Sequence, residues 1–363
     1  MKTLILSGIN LFEGGPLSIY YDFLDTILKL NMDKDFKIIC FVHKKSLFYK
    51  YDNRVELIEL PDSRNSYLKR LWYEYVYFHR YSLKEEIDIW ISLHDITPRV
   101  KAKEIYTYCH NPSPFMKKDL SKIKYSITNV AFSFFYKYLY RINIKAATAI
   151  IVQQDWMRNE FLELYPIKNV IVARPNIKID YEFKTQKKVT EKTVFVFASF
   201  PRYFKNFEVI CEACKLLKSD TYEVLLTLDG SENSYSKFLI KKYGDIRTIK
   251  WIGLQKREQL FEIYNQADCF IFPSVLETWG LPISEFKTTG KPMILADLPY
   301  AHETLGTYEK VLFFEPNDSH QLRRLMLKII ENKDNIEYEG QIEKDAANPY
   351  ASNWNELLSI IIN

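Results

Sequence analysis

Short apolar runs of strand length alternate along the chain with longer stretches in which apolar residues recur at helical spacing. Predicted strands fall at residues 3–7, 37–42, 55–60, 87–93, 105–109, 149–153, 170–173, 194–198, 223–228, 249–252, 269–272, 293–296 and 311–314. Predicted helices fall at residues 17–31, 66–84, 128–143, 155–164, 206–218, 233–243, 256–266, 281–289 and 318–332. Because most of the strands are apolar along their whole length, they indicate parallel sheets covered by helices on both faces.

The alternation occurs twice, which predicts an α/β protein of two doubly wound, Rossmann-like domains facing a central cleft. We expect a first domain over residues 1–176, a polar linker over 177–192 and a second domain over 193–345. Residues 346–363 are predicted to form a helix that packs back toward the first domain, with Trp354 as its anchor. Open parallel sheets bind ligands outside the carboxyl ends of their strands, so each domain is expected to hold one substrate.

Charge is distributed unevenly between the two halves. The chain has 363 residues, of which 47% are hydrophobic and 26% charged, a composition typical of folded domains. Residues 1–175 carry 26 Lys and Arg against 19 Asp and Glu, whereas the remainder carries 24 against 27. The excess is concentrated in residues 101–145, with nine basic and two acidic residues. This asymmetry predicts an anionic partner for the first half.

Cysteine usage and the apolar runs bear on the compartment. Five scattered cysteines without a disulfide framework fit a reducing cytoplasm. Cys211 and Cys214 form a Cys-x-x-Cys inside a helical pattern, and without a second pair they indicate packing rather than a zinc site. No run approaches the roughly 18 apolar residues that span a bilayer. The apolar start of the chain is interpreted as a buried strand rather than a signal peptide, and we expect a cytoplasmic protein.

The densest chemical signal is residues 270–285, which read FIFPSVLETWGLPISE. A buried strand ends at Pro273, a loop carries Glu277, and Gly-Leu-Pro opens a helix whose first turn suits proline. The helix start then directs backbone N–H groups at a ligand such as a diphosphate, and these belong to Thr278, Trp279, Gly280 and Leu281. Glu277 and Glu285 have two interpretations: carboxylates that favour the helix dipole, or acceptors for ribose and sugar hydroxyls.

A second strand-to-helix turn, residues 197–206, carries Arg202 and Lys205. Cations held there can clamp the phosphates of a departing nucleoside diphosphate, although ordinary surface charge is the alternative. Gly253-Leu254 ends another strand and suits a backbone contact to the base, because glycine allows close approach. Asn176, at the last strand of the first domain, lies at a further strand end suited to the nucleotide.

The 270–285 pattern resembles the signature of glycosyltransferase family 4, the retaining enzymes of the GT-B fold. The pattern comprises Pro-Ser, Glu277, the Gly-Leu-Pro turn and Glu285 after seven intervening residues, and Gly290-Lys-Pro-Met-Ile-Leu-Ala-Asp and Glu303 continue it. This resemblance covers most of the C-terminal half. It implies that Glu277 contacts hydroxyls of the transferred sugar and that Glu285 contacts the ribose.

The resemblance extends to other strand ends. Arg202 and Lys205 match an Arg and a Lys of the family, and Asn176 matches its Pro-Asn turn but lacks the glycine that usually follows. Gly14-Gly15 matches the family's glycine loop, which approaches a phosphate or an acceptor sugar, although paired glycines are most often only a turn.

A histidine after the strand at 105–109 has two interpretations. A lone histidine is most often structural, but the resemblance implies that His110 contacts the donor sugar or its phosphate. His94-Asp95, at the end of the preceding strand, is a candidate for the acceptor side.

Two segments, residues 69–80 and 117–145, combine aromatic and basic residues. They are either helices that cover the core with cations at their ends, or a docking face for an anionic membrane and its lipid-linked acceptor. We find no nucleic-acid-binding motif, P-loop or Gly-x-Ser-x-Gly elbow. No Asp-x-Asp pair or His/Cys cluster predicts a metal, and no cofactor is expected beside the nucleotide-sugar substrate.

Together these features predict a retaining hexosyltransferase that moves a sugar from a nucleoside-diphosphate sugar to a hydroxyl of a glycan or lipid-linked glycan. The expected setting is bacterial surface polysaccharide synthesis, such as O-antigen or capsule, at the inner face of the plasma membrane. Two alternatives stay open. One is a GT-B nucleotide-sugar epimerase or phosphorylase, and the other is a non-catalytic nucleotide-sugar-binding subunit.

Overall fold

The computed structural model describes residues 1–115, 135–175, 181, 191–331 and 335–362. It contains two sheets of parallel strands. In the described residues the strands are β1 Lys2–Gly8, β2 Phe36–Val42, β3 Glu56–Glu59, β4 Ile89–Ser92, β5 Glu104–Tyr108, β6 Ala149–Val152, β7 Val170–Ala173, β8 Thr193–Phe197, β9 Tyr222–Leu226, β10 Ile249–Trp251, β11 Cys269–Phe272, β12 Met293–Ala296, β13 Val311–Phe314 and β14 Tyr350–Ala351. All of the strands predicted from the apolar runs are present.

Helices follow most of the strands, as the alternation predicts. Those in the described residues are α1 Gly14–Lys29, α2 Tyr67–Trp72, α3 Phe78–Ser82, α4 (residues 135–141), α5 Asp155–Leu164, α6 Phe207–Leu216, α7 Ser234–Tyr243, α8 Arg257–Gln266, α9 Leu281–Lys287, α10 Pro299–Leu305, α11 Ser319–Glu331 and α12 Trp354–Ile362. The predicted α/β class is therefore confirmed.

Both sheets have the strand order of a doubly wound fold. The first runs β14-β7-β6-β5-β4-β1-β2-β3 and the second β10-β9-β8-β11-β12-β13. In each sheet the order reverses beside the first strand, between β1 and β4 and between β8 and β11. Such a switch point leaves a crevice at the carboxyl ends of the two strands, where this fold binds ligands. Register places Phe195 opposite Cys269 and Val196 opposite Phe270, so the loops that follow β8 and β11 are neighbours.

The described residues divide into two compact units. The first unit contains residues 1–115, 135–175 and 346–362, and the second contains residues 181, 191–331 and 335–345. Each unit contains one of the sheets. Of the predicted linker 177–192, only residues 181, 191 and 192 are described.

The first sheet buries both of its faces. Leu4 and Leu6 of β1 belong to a core shared with α1 and α12, whereas Ile5 belongs to a core shared with Tyr73 and Phe78. Successive strand residues point to opposite faces, so a strand covered on both sides is apolar throughout. This is the physical reason why the apolar run at the start of the chain predicts β1 correctly.

The C-terminal tail differs from its prediction at its start. Tyr350 and Ala351, expected to be helical, form the short strand β14, which pairs in parallel with Val172 and Ala173 of β7. A two-residue strand has no periodicity to recognise, because its partner supplies the hydrogen bonds. The helix α12 follows, and Trp354 is buried, as predicted, with its ring 5.2 Å from that of Phe23.

Two other expectations need correction. The single helix expected over residues 66–84 is divided into α2, a π-helical segment Tyr73–Tyr77 and α3. Gly14 and Gly15, expected to precede a helix, form the first turn of α1 itself. All five cysteines are free and buried, and the packing role predicted for Cys211 and Cys214 agrees with their burial on α6. No helix in the described part of the chain is both long and apolar enough to cross a bilayer.

Candidate active site

The loops after β8 and β11 are tied together at the switch point of the second unit. The carbonyl oxygen of Phe204 accepts the backbone N–H of Val275 at 2.8 Å and the hydroxyl of Ser274 at 3.3 Å. On its other side, the first loop is held by Asn233, whose side-chain amide donates to the carbonyl of Pro201 at 2.7 Å. The predicted phosphate-binding turn is thus anchored at both ends.

Asn206 determines where the first of these loops ends. It has a left-handed backbone (φ 56°), which asparagine adopts more readily than most residues. Its buried side-chain amide donates to the carbonyls of Pro273 (3.3 Å) and Pro316 (2.7 Å). These bonds fix the residue next to Lys205. Asn206 was not among the predicted site residues, although an asparagine between a strand-end loop and a helix is a recognisable signal.

Lys205 and Glu277, predicted separately, are brought together by these loops. The Lys205 Nζ lies 2.5 Å from the Glu277 Oε1, and the two side chains are only 15% and 12% exposed. The ammonium group also lies 5.9 Å from the centre of the Phe272 ring. Charge-assisted hydrogen bonds of this kind are among the stronger ones. The switch point therefore holds a charged pair that is largely withdrawn from solvent.

Arg202 lies on the same loop but is exposed to solvent. Its guanidinium carbon lies 5.8 Å from the Phe200 ring and 5.9 Å from the Phe204 ring. Aromatic rings at this distance attract a cation and restrict its side chain. Arg202 is thus a second cation at the carboxyl end of β8, in a position accessible to a ligand.

The turn into α9 depends on Gly280. Its φ is +83°, and a Cβ there would meet Ile283 at 3.4 Å and Phe272 and Tyr300 at 3.6 Å. Both the conformation and the space favour glycine. Pro282 lies in the first turn of the helix, as predicted.

The residues of this turn that were predicted to contact a ligand through their backbone differ in burial. Trp279 is buried, its indole N–H donates to the Ser284 hydroxyl at 3.0 Å, and its carbonyl accepts the Thr304 hydroxyl. Thr278 is half-buried and Leu281 is exposed. The indole of Trp279 therefore braces the turn, and the backbone of residues 278–281 is the part placed beside Glu277.

Glu285 lies one turn into α9 and is 13% exposed. Burial raises the pKa of its carboxyl group, and the positive charge of Arg257 on α8 partly opposes that rise. The Arg257 Nη2 lies 3.6 Å from the Glu285 Oε1. Arg257 was not predicted, because its proximity depends on the packing of α8 against α9.

Gly253 and Leu254 follow β10, at the edge of the second sheet. Gly253 has φ +66°, and a Cβ there would lie 3.0 Å from the Asp229 carboxylate. Leu254 is exposed. Because β10 is two strands from β8, this turn is about 10 Å along the sheet edge from the Lys205 loop. That separation suits a group distant from the phosphates, such as a base.

In the first unit, Gly14 and Gly15 are exposed in the first turn of α1. Gly14 has φ +64°, and a Cβ at either position would meet no atom within 4 Å. The conformation favours glycine only at position 14, and the open space leaves the backbone accessible.

Asp95 organises the loop that carries His110. One carboxylate oxygen of Asp95 accepts the backbone N–H of His110 at 2.8 Å and that of Asn111 at 3.1 Å. The other oxygen lies 3.7 Å from the His110 Nε2, whose side chain is 11% exposed. Asp95 itself has a left-handed backbone (φ 75°). His110 is therefore held at the end of β5 by the residue that the sequence analysis grouped with the acceptor side.

His94 is fully buried, so its side chain is not available to an acceptor. Its Nε2 lies 3.1 Å from the Ser7 hydroxyl, its Nδ1 lies 3.2 Å from the Glu74 carboxylate, and Arg70 donates to its carbonyl at 2.6 Å. Burial lowers the pKa of His94 and raises that of Glu74 to about 8. This network supports the chain just before Asp95.

Two predicted features have no described geometry. Asn176 lies outside the described residues, as does most of the basic segment 117–145. Within the ranges that the structure describes, no group of three or more His, Cys, Asp or Glu side chains is placed to hold a metal ion.

Comparison with known proteins supports the enzyme class. The family model "Glycosyl transferases group 1" matches residues 178–348, which include the Lys205, Glu277 and Glu285 positions. The O-antigen chain mannosyltransferase B of Escherichia coli is 23% identical over 52% of this chain and 53% of its own length. The O-antigen chain mannosyltransferase RfbU of Salmonella typhimurium is 20% identical over 80% of this chain and 81% of its own. The chain thus spans about half the length of the first relative, and the matches support a hexosyltransferase.

Solved structures resemble the chain over nearly all of its length. Sucrose-phosphate synthase from Thermosynechococcus elongatus has a TM-score of 0.61 at 15% identity, covering 92% of this chain and 90% of its own. WaaG, a glycosyltransferase involved in lipopolysaccharide biosynthesis, has a TM-score of 0.62 at 15% identity, covering 91% of each chain. At these identities the likeness shows the fold alone, and the predicted GT-B class is confirmed.

Proposed function

We propose that this chain is a retaining glycosyltransferase of family 4 that transfers a hexosyl group from a nucleoside-diphosphate sugar to a hydroxyl of a carbohydrate acceptor. The observation that carries the proposal is the Lys205–Glu277 pair at the switch point of the second unit, with Glu285 on the helix that follows. These residues lie within the segment that matches the glycosyltransferase family model. A cation for phosphate and two carboxylates for hydroxyls are the groups that a nucleotide sugar needs.

The donor is recognised by an exchange of partners. When the diphosphate binds, Lys205 and Arg202 contact its oxygens, together with backbone N–H groups of residues 278–281. Lys205 then leaves Glu277, whose free carboxylate accepts hydroxyls of the sugar. Glu285 accepts the ribose hydroxyls, and the turn at Gly253 and Leu254 lies against the base. The cations stabilise the negative charge that develops on the departing diphosphate.

The first unit is proposed to bind the acceptor. Gly14 and Gly15 offer accessible backbone for an acceptor sugar, and His110 contacts the donor sugar or its phosphate. The relatives are named for O-antigen chains, which supports a lipid-linked glycan acceptor in bacterial polysaccharide synthesis. No metal or cofactor takes part in the proposed reaction.

A membrane contact is proposed for the same unit. Apolar and basic side chains occur together on α2 and on residues 135–145. Lys69 is half-buried, and the exposed ones are Tyr67, Leu68, Trp72, Phe135, Lys137, Tyr138, Arg141 and Lys145. Arg70 and Tyr136 join the two helices through a hydrogen bond of 2.8 Å, so their exposed residues lie near one another. Aromatic and basic groups of this kind favour an anionic bilayer surface. The location that we propose is therefore the inner face of the plasma membrane.

The test is donor binding and transfer with a panel of UDP-, GDP-, ADP- and dTDP-sugars, starting with mannosyl nucleotides because the relatives are named mannosyltransferases. We expect one donor to bind at micromolar affinity, transfer to proceed with EDTA present, and Glu277→Gln to abolish transfer. Glu258→Gln, an exposed glutamate on α8, is the matched control. Failure of every donor to bind, with a lipid-linked acceptor present, would overturn the proposal. Turnover of the donor without an acceptor would indicate the epimerase alternative.

A further inference from the structure

Helix α8 presents one face to Glu285. Arg257, Phe261 and Tyr264 recur on it at a spacing of four and then three residues, which places them on one side of the helix. Arg257, 60% exposed, lies 3.6 Å from the Glu285 carboxylate, and its guanidinium carbon lies 5.6 Å from the Phe261 ring. The charges attract one another at this distance, but it is too long for a hydrogen bond. Arg257 thus compensates the charge of Glu285 without a direct hydrogen bond to it.

Tyr264 is fully buried, and its hydroxyl has no hydrogen-bond partner among the described residues. Its ring is held edge-on against Phe286 at 5.4 Å and Phe270 at 5.8 Å. Burial raises the pKa of Tyr264, and the nearby negative charge of Glu285 raises it further. A buried hydroxyl without a partner is unfavourable, and the Tyr264 ring contacts Phe286, the residue that follows Glu285 on α9.

We infer that Arg257 and Tyr264 are positioning residues, which keep the Glu285 carboxylate ionised and oriented as the acceptor for vicinal hydroxyls of the donor's ribose. This inference rests on the proposed function, since it requires that Glu285 binds a ribose. Arg257 supplies the compensating charge from the exposed side. When the donor is bound, Tyr264 supplies an O–H donor from the buried side, and the two groups together limit the carboxylate to one orientation.

The surroundings of Glu285 determine the sign of its pH dependence. From α8, the groups that act on it are Arg257 and Tyr264. On the helix of Glu285, the Lys287 ammonium donates to the carbonyl of Leu305 at 2.5 Å. In the loop before that helix, the carboxylate of Glu277 is paired with Lys205. Burial raises the pKa of Glu285, and Arg257 opposes the rise. A carboxyl group accepts two hydroxyls only when ionised, so donor binding is lost as pH falls through this pKa. Removing Arg257 moves that loss to higher pH.

The experiment compares Arg257→Gln, Arg257→Lys and Tyr264→Phe with Arg247→Gln, an exposed arginine elsewhere in the second unit. Two quantities are measured in the full-length protein. The first is the dissociation constant of the donor between about pH 5 and pH 8. The second is the pKa of the Glu285 carboxyl by ¹³C NMR, assigned with Glu285→Gln, and this measurement needs no donor. Thermal unfolding of each variant reports its folding.

We expect Arg257→Gln to raise the Glu285 pKa and to weaken donor binding on the acid side by about tenfold for each unit of that rise. Arg257→Lys restores most of the affinity, and Arg247→Gln changes neither quantity. Tyr264→Phe keeps the thermal stability and the Glu285 pKa of the donor-free protein, because the hydroxyl lacks a partner in the fold, but it weakens donor binding.

The two proposals fail in different ways. If Arg257→Gln and Tyr264→Phe leave both the Glu285 pKa and the acid side of donor binding as in the wild type, the positioning role is wrong and the transferase proposal stands. If Arg257→Gln moves the pKa but no nucleotide sugar binds the wild type, the contact of Arg257 with Glu285 is real and the assignment of Glu285 to a ribose fails with the proposed function.

Discussion

At the residue scale, the proposed binding of a donor to the second unit depends on the pairing of Lys205 with Glu277. Both side chains are mostly withdrawn from water, and each has the other as a charged partner. Removing one partner would leave an uncompensated charge, which is costly in a buried site. In the proposed exchange, a diphosphate and a sugar hydroxyl together replace both partners. The exchange therefore favours a ligand that carries both groups over free phosphate or free sugar.

Lys205→Met tests this exchange. The variant is expected to lose about 2–3 kcal/mol of stability, because Glu277 remains largely buried without its cation, and to bind the donor at least tenfold more weakly. Urea unfolding and isothermal titration measure the two effects. Lys241→Met, which removes an exposed lysine from α7, should change neither.

The double variant Lys205→Met/Glu277→Leu separates structure from chemistry. With both charges removed, stability should return to near that of the wild type while transfer remains absent. A double variant that is no more stable than Lys205→Met would contradict the account of the pair as mutually compensating charges.

At the element scale, the starts of α6 and α9 are formed by residues with left-handed backbones. Asn206 precedes α6 and Gly280 precedes α9, with φ of 56° and 83°. A left-handed residue turns the chain sharply, so the helix begins directly beside the strand end. The two turns therefore bring Lys205 and the backbone of residues 278–281 to the same switch point.

Gly280→Ala is expected to weaken donor binding about tenfold and to cost about 1–2 kcal/mol of stability, because alanine resists a positive φ. Gly290→Ala is the matched control, since Gly290 also has a positive φ (+68°) but a Cβ there meets no atom within 4 Å. Both variants should lose stability, measured by urea unfolding, and only Gly280→Ala should lose donor affinity. Equal loss of affinity in both would show that backbone strain acts on the whole unit.

The C-terminal tail is an element of the first unit. Trp354 of α12 packs between Phe23 of α1 at 5.2 Å and Tyr108 of β5 at 5.4 Å. Trp354→Ala should destabilise this unit by about 3–5 kcal/mol through the cavity it leaves. Hydrogen exchange should then increase in β1, β5 and β7 while the second sheet keeps its protection. The control is Trp72→Ala, which removes an exposed tryptophan and should leave hydrogen exchange unchanged. If Trp354→Ala increased exchange equally in both sheets, the assignment of the C-terminal tail to the first unit would be wrong.

At the scale of the whole molecule, both units repeat one topology while carrying different chemistry. Each sheet has its switch point beside its first strand. In the second unit that point holds Lys205 and Glu277. In the first unit the corresponding strand ends lead to Gly14 on α1 and to Asp95, which holds His110. Donor and acceptor roles are thus proposed for equivalent positions of two similar sheets.

Stereochemistry tests the reaction as a whole. We propose that the retaining transfer is a front-face attack, in which the acceptor oxygen bonds to the anomeric carbon, the bond from that carbon to the phosphate oxygen breaks, and the acceptor proton passes to the departing phosphate. The product should therefore keep the anomeric configuration of the donor. NMR of the product measures the configuration directly, and an inverted product would exclude the retaining mechanism.

Much of this molecule follows from local patterns in the sequence. Apolar runs predict the strands because a residue buried on either face of a covered sheet must be apolar, whatever its partner strand. The Gly-Leu-Pro turn and its flanking glutamates likewise identify the candidate donor site, since the required backbone conformation and charges lie within sixteen consecutive residues, 270–285. By itself, the sequence therefore determined the α/β class, the positions of Glu277, Glu285, Arg202 and Lys205, and the buried Trp354.

Other features were decided only by tertiary structure, because they depend on residues far apart in the chain. Tyr350 and Ala351 are a strand only because β7 offers them an unpaired edge. Lys205 meets Glu277 because β8 and β11 are neighbours in the sheet, and Arg257 meets Glu285 because α8 packs near α9. Asp95 holds His110 because β4 and β5 end side by side. Hydrophobic periodicity records which residues are buried, whereas the pairing of charges depends on which strands and helices become neighbours.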